Sequence, residues 1–264
     1  MRVGQLGFGK TGKAVASVLL DSRKCELQWV MRKSHKLEHR SVPEFLGIES
    51  NEPGLIYSID EFDAAYLLDA HPVDIIVDFS SCDGLYYYAE EAKKRGIAII
   101  TAISEYPKHA EQHLLDLARH IRIVHSPNIT LGINFLIVAA KVLQKIAPSI
   151  DIEIIEQHFK SKPELSGTAR IIANGLGVEH DQIKSIRAGG IIGVHEILFG
   201  FPYQTVRLKH ESISREAFGN GVLFAIEHLP ECTSGLFNME DLLIPHFSVA
   251  QTILDRSILP PWPH

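Results

Sequence analysis

The chain is 264 residues long, 45% hydrophobic and 22% charged, with a formal net charge of −6; this is enough apolar material for one large or two modest domains, without the cationic excess that a nucleic-acid surface needs. Cys25, Cys82 and Cys232 are scattered with no C-x-x-C pair, which predicts free thiols in a reducing compartment. The 14 histidines show no H-E-x-x-H or paired ligand spacing, so no metal is expected, and the longest apolar run, near residues 135–142, is too short to cross a bilayer.

The chain opens on an apolar strand at residues 2–6, which predicts no signal peptide. Gly7-Phe8-Gly9-Lys10-Thr11-Gly12 follows, then Ala14, Val15, Val18 and Leu19 at helical spacing. This is G-x-G-x-x-G between a strand and a helix, the context of a dinucleotide site. Gly7 allows the tight turn, Gly9 lets a pyrophosphate approach the backbone, and Gly12 lets the helix pack close. The next strand, residues 26–31, ends in Arg32 and Lys33, where an NAD-preferring site carries a carboxylate for the ribose. Two cations there predict NADPH, with NADH as the other nucleotide to consider.

Strands at 73–79, 97–101 and 121–125 alternate with helices at 84–95 and 107–120. The alternation predicts an α/β domain over 1–128 with a Rossmann-type, doubly wound parallel sheet. Ligands of such sheets bind beyond the carboxyl ends of the strands, where Ser80, Ser81, Ala102, Ser104, Ser126 and Asn128 fall. After Asn128 the pattern changes to a helix at 134–146, a strand at 151–156, three close strand-like runs at 183–188, 191–199 and 203–210, and a helix at 214–229. Residues 129–235 therefore read as an α+β substrate-binding and oligomerisation domain with an open mixed sheet, whose bare face another subunit would cover. The chain then returns, from about 236 to 264, to complete the nucleotide domain.

The segment from Glu156 to Ala169 brings His158, Lys160 and Lys162 next to Ser166-Gly167-Thr168, which opens a helix. A helix start offers free N–H groups and a positive dipole end for an anion. His158 exchanges a proton near neutral pH and is the expected general acid; Lys162 supplies a countercharge. Arg187 reads either as the holder of a second carboxylate or as part of a salt bridge on the sheet. His195 and His210 read as structural.

These segments resemble the dihydrodipicolinate reductase family over nearly the whole chain. The resemblance rests on Gly7 to Gly12, Asp78-Phe79-Ser80, Ser126-Pro127-Asn128, Lys162, Ser166-Gly167-Thr168-Ala169, Ser185-Ile186-Arg187-Ala188-Gly189 and Ser214-Arg215-Glu216-Ala217-Phe218. It implies NADPH-dependent reduction of a small dicarboxylate cyclic imine to tetrahydrodipicolinate in lysine and diaminopimelate synthesis, by a cytoplasmic homotetramer joined through the substrate-domain sheets. The chain departs from the family pattern at several positions. Phe159 replaces a second histidine, and the loop after Lys162 is one residue shorter. Ala102-Ile103-Ser104-Glu105 stands for Gly-Thr-Thr-Gly, Gly190 for an aspartate and Val194 for a glutamate. Two other readings stay open: a reductase of another small imine, and a nucleotide-binding regulator without catalysis.

Overall fold

A computed structural model describes residues 1–253. It contains β1 (Arg2–Leu6), α1 (Lys10–Ser22), β2 (Glu26–Arg32), α2 (Val42–Leu46), β3 (Leu55–Ser58), α3 (Ala64–Ala70), β4 (Ile75–Asp78), α4 (Gly84–Arg95), β5 (Ala98–Thr101), α5 (Lys108–Ala118) and β6 (Arg122–His125). There follow α6 (Leu131–Ile146), β7 (Asp151–His158), α7 (Gly167–Leu176), β8 (Lys184–Arg187), β9 (Val194–Phe201), β10 (Gln204–Glu211), α8 (Glu216–Glu227), β11 (Gly235–Phe237) and α9 (Met239–Ile253). The expected completion of the first domain by residues 236–264 is seen in β11 and α9; residues 254–264 lie outside the described part.

The first sheet has seven strands in the order β11-β6-β5-β4-β1-β2-β3, and every pairing in it is parallel. Strands β4 and β5 are buried at every position, because helices cover both faces of a parallel sheet; this is why they read as unbroken apolar runs. One face packs Val15 and Leu19 of α1 together with Val222 and Ile226 of α8. The other packs Leu67, Leu85, Tyr88 and Leu114 of α3, α4 and α5. The sequence reading assigns α8 to the substrate half, yet it lies on α1. A Cβ at Gly219 would sit 2.5 Å from Val18, and one at Gly221 would sit 1.9 Å from the Ile129 carbonyl. The two glycines thus admit an approach that helical periodicity alone does not reveal.

The second sheet runs β10-β9-β7-β8, with β7 parallel to β8 and the other pairs antiparallel. Helices α6 and α7 cover one face, burying Ile133, Ile137 and Ile172 against Ile154, Ile197 and Phe199. On the opposite face half-buried Ile155 and Leu198 sit among Glu153, Arg207 and Lys209. Strand β7 runs two residues past the end read from the sequence. His158 is therefore the last residue of a strand rather than part of a loop, and the two-residue period puts it on the buried face with Ile154 and Glu156.

Candidate active site

The nucleotide side begins where β1 turns into α1. Gly7 has φ 90°, and a Cβ there would meet the Phe79 carbonyl at 2.5 Å. A Cβ on Gly12 would lie 2.1 Å from the Gly7 carbonyl, so helix and turn touch. Gln5, wholly buried, ties them by donating from Nε2 to the carbonyls of Gly7 (2.9 Å) and Gly12 (2.8 Å). At Gly9, in contrast, a Cβ would meet nothing within 4 Å. Gly9 is also the N-cap of α1 and provides no side-chain cap, so no capping side chain competes with an anion for the first N–H groups of the helix. A cleft of about 650 Å³ runs from Gly7 and Gly9 to Arg32, Lys33, Ser34, Ser80 and Ser81. These features fit a dinucleotide.

One expected contact is narrowed to its backbone. The Phe8 ring is buried against Phe45, with ring centroids 5.7 Å apart, leaving only its backbone for a ligand. Lys10 opens α1 and also lines a neighbouring groove with Lys13, Ile192 and Ile213. Arg32 donates from Nη1 to the Lys36 carbonyl (2.9 Å) and keeps further N–H groups for the cleft.

A second cavity, of about 390 Å³, shares Phe79, Ser80 and Ser81 with the first and adds Thr11, Ala102, Ser104, Asn128 and Thr168. Buried Asp78 shapes its floor by accepting from Ser80 N (2.8 Å), Ser80 Oγ (2.6 Å) and Tyr88 Oη (2.8 Å). Burial pushes the Asp78 carboxyl up despite those donors. The Ala102–Ser104 turn hangs from His125, whose Nε2 lies 3.1 Å from the Ile103 carbonyl. Burial pushes the His125 imidazole down, so the neutral ring with Nε2–H is the donor. Asn128 Nδ2 donates to Thr168 Oγ1 (3.1 Å), joining the two halves of the chain. Ser126 is not on the cavity: it is buried, and its hydroxyl donates to the Asn128 carbonyl (2.9 Å).

The acid side centres on Glu156, which has no solvent exposure. It accepts from Arg187 Nη2 (2.5 Å) and Ser185 Oγ (2.7 Å) at Oε1, and from Arg187 Nη1 (2.9 Å) and His158 Nδ1 (2.5 Å) at Oε2. Burial raises its pKa, but the hydrogen bonds from Arg187, Ser185 and His158 outweigh that and hold it at about 2. His158 Nε2 makes no hydrogen bond among the described residues, and a Cβ at Gly193 would lie only 3.2 Å from it. Glycine there keeps that nitrogen clear.

His195 stands edge-on to His158, with centroids 5.3 Å apart, and its Nε2 pairs with Ser166 Oγ at 2.8 Å. Burial, helped by His158 and His210, pushes the His195 imidazole down to about 3, so it is a neutral support for the N-cap of α7. Burial also lowers His210.

Ser166 and Arg187 are likewise corrected. The buried Ser166 hydroxyl is engaged by His195 and accepts from Ala169 N (3.4 Å), so it caps α7 instead of facing a ligand. Of that helix start, Thr168 lines the 390 Å³ cavity, and a Cβ on Gly167 would meet nothing within 4 Å. The five N–H groups of Arg187 meet Glu156 and the carbonyls of Lys162, Glu164 and Ile186. None is left for a substrate carboxylate, because the bidentate geometry that suits a ligand is used on Glu156. Lys162 is half-exposed, and its ammonium has no ion-pair partner among the described residues. The sequence reading missed Glu156, Ser185, Asp78 and His125. The available signal was a polar pair at two-residue spacing where an apolar strand ends.

The family model described as dihydrodipicolinate reductase, N-terminus, matches residues 1–129, and its C-terminus counterpart matches residues 129–243. A 4-hydroxy-tetrahydrodipicolinate reductase of Thermosipho africanus is 30% identical over 248 residues, covering 92% of this chain and 98% of the relative. One from Syntrophus aciditrophicus is 26% identical over 263 residues, covering 90% and 96%. Among solved structures, a dipicolinate-bound dihydrodipicolinate reductase from a Paenisporosarcina species superimposes with a TM-score of 0.76 at 20% identity, over 91% of this chain and 98% of that one. No described helix is long and apolar enough to cross a membrane.

Proposed function

The chain belongs to the dihydrodipicolinate reductase family and is an oxidoreductase, and from that premise we propose that it uses NADPH to reduce the dihydrodipicolinate-type cyclic imine to tetrahydrodipicolinate. The observation that carries this reading is the shared cavity. Thr168, at the start of α7, lines the same 390 Å³ space as Ser80, Ser81 and the Ala102–Ser104 turn of the nucleotide half. On this reading residues 1–128 hold the nucleotide, and the substrate groups come from residues 129–235 outside α8, which packs on α1. A bound pyridine nucleotide supplies a hydride. The first turns of α1 and Gly9 take the pyrophosphate; Arg32 and Lys33 take the 2′-phosphate that distinguishes NADPH. With Arg187 engaged elsewhere, Lys162 and the N–H groups of Gly167 and Thr168 hold the substrate carboxylates between them. His158 donates the proton, from Nε2, to the ring atom made electron-rich by hydride addition.

The reaction belongs to lysine and diaminopimelate synthesis in the cytoplasm, and copies of the chain join as a homotetramer through the bare face of the second sheet. Support for that face is its mixture of half-buried Ile155 and Leu198 with charged neighbours. The test is steady-state turnover of freshly prepared condensation product with NADPH and with NADH, beside a panel of other small imines. Faster turnover of another imine replaces the substrate assignment; Phe159, 41% exposed in the loop beside His158, is the residue such an outcome would implicate. Tight NADPH binding with no turnover of any imine overturns the enzymatic reading.

A further inference from the structure

A carboxylate with no solvent exposure is costly unless every lone pair is met. At Glu156 that condition is reached with donors from three places: Ser185 and Arg187 on β8, and His158 two residues ahead on β7 itself. Strand register creates the arrangement, since Glu156 pairs with Ser185 and His158 with Arg187. An ion pair with Arg187 alone accounts for neither the aim of His158 Nδ1 at Oε2 nor the unpartnered Nε2 beside Gly193.

We infer that Glu156 is a positioning residue for the proton donor: its carboxylate fixes His158 in the form with hydrogen on Nδ1, leaves Nε2 to carry the transferable proton, and sets a negative charge directly against the ring. The inference rests on His158 being the acid. In the step itself the N–H bond at Nε2 breaks and its proton goes to the electron-rich substrate atom. His158 becomes neutral with Nδ1–H still donated to Glu156, and water restores the proton to Nε2. Glu156 takes no proton, because its donors hold it ionised. The charged and titratable groups around the imidazole are Glu156 on β7, Arg187 on β8, His195 on β9 and Lys162 in the following loop, with His210 on β10 beyond His195. Among these described groups Glu156 is the anion; Arg187 and Lys162 oppose the imidazolium, and His195 is neutral.

The experiment compares pH profiles of turnover, under conditions where chemistry limits the rate, for wild type, His158→Ala and Glu156→Gln. Glutamine keeps the shape and an acceptor oxygen but removes the charge. The alkaline limb should move to lower pH by about 1–3 units, the scale for a neighbouring opposite charge, with nucleotide affinity unchanged. A second measurement needs no stable variant at the carboxylate: nitrogen NMR of histidine-labelled wild type above the limb, with His158→Ala giving the assignment. Neutral His158 should carry its hydrogen on Nδ1. If His158→Ala abolishes turnover but Glu156→Gln leaves the limb where wild type has it, or if neutral His158 is protonated on Nε2, the positioning role is wrong. If His158→Ala turns over like wild type, the assignment of the acid itself fails, whatever Glu156 does.

Discussion

The Asn128–Thr168 hydrogen bond is the most direct link between the two halves of the cavity, and Thr168→Val isolates it. Valine keeps the branched shape and removes the oxygen that accepts from Asn128 Nδ2 at 3.1 Å. The amide has no easy alternative orientation, since its Oδ1 already accepts from Thr130 N (3.2 Å) and Thr130 Oγ1 (2.9 Å). The loss is therefore one neutral hydrogen bond plus a stranded donor. A half-buried site puts the total near the low end of the scale for such changes, about 1 kcal/mol. As a loss of substrate binding this is roughly a fivefold rise in KM, with turnover changed less, because the group holds ground and transition states alike. Thr168→Ser should restore the wild-type value. Steady-state kinetics measure both parameters, and a cycle with Asn128→Ala measures the coupling, expected at about 0.5–1.5 kcal/mol. Strictly additive effects in that cycle would show that the bond carries nothing. An equal weakening of NADPH binding in Thr168→Val would assign the helix start to the nucleotide.

Replacing Arg32 and Lys33 together with alanine should weaken NADPH binding by about 1–3 kcal/mol, the scale of charge-assisted hydrogen bonds, while NADH binding hardly changes; direct titration of both nucleotides decides, and equal losses refute the assignment. His158→Ala should lower turnover roughly 10²–10⁴-fold and erase the alkaline limb, whereas Lys162→Ala should raise the KM for the dicarboxylate as well, since its countercharge goes. Acid unfolding tests the Glu156 cluster. Its folded pKa of about 2 lies below the ordinary 4.5, so the carboxylate's contribution is present above the ordinary value and disappears as pH falls through the folded one. Wild type should accordingly lose on the order of 3 kcal/mol of stability between those limits, and Glu156→Gln should lose visibly less over the same range in urea melts. Equal slopes for the two proteins would contradict the pairing geometry.

Much of the architecture was legible because it is written locally. G-x-G-x-x-G needs only its flanking strand and helix to be read, and the apolar runs of β4, β5 and β6 declare a sheet covered on both sides. The Ser-Gly-Thr start of α7 is a helix signal within a few residues. Residues 33–72 were harder, because α2, β3 and α3 are short, 5, 4 and 7 residues, and their caps at Ser41 and Asp63 stand out only once the backbone is known.

What the sequence by itself determined is the set of residue types available at each end of each element: glycines for a phosphate, cations after β2, a histidine and a lysine before a helix start. Which of their polar groups are free was decided by tertiary structure. Arg187, Ser166 and Ser126 carry the right chemistry for a ligand, but strand register and turn geometry turn all three onto neighbours within the protein. Glu156 shows the converse. Its two-residue spacing from His158 marks only a polar pair at a strand end, and its significance comes from β8 pairing in parallel so that Ser185 and Arg187 arrive beside it. Helix α8 shows the same limit at larger scale, since its apolar period does not name a partner, while the structure brings Gly219 against Val18 of α1 and Gly221 against the Ile129 carbonyl. Local propensity and period are properties of a segment, whereas pairing register and the partner that uses up a donor belong to the whole chain.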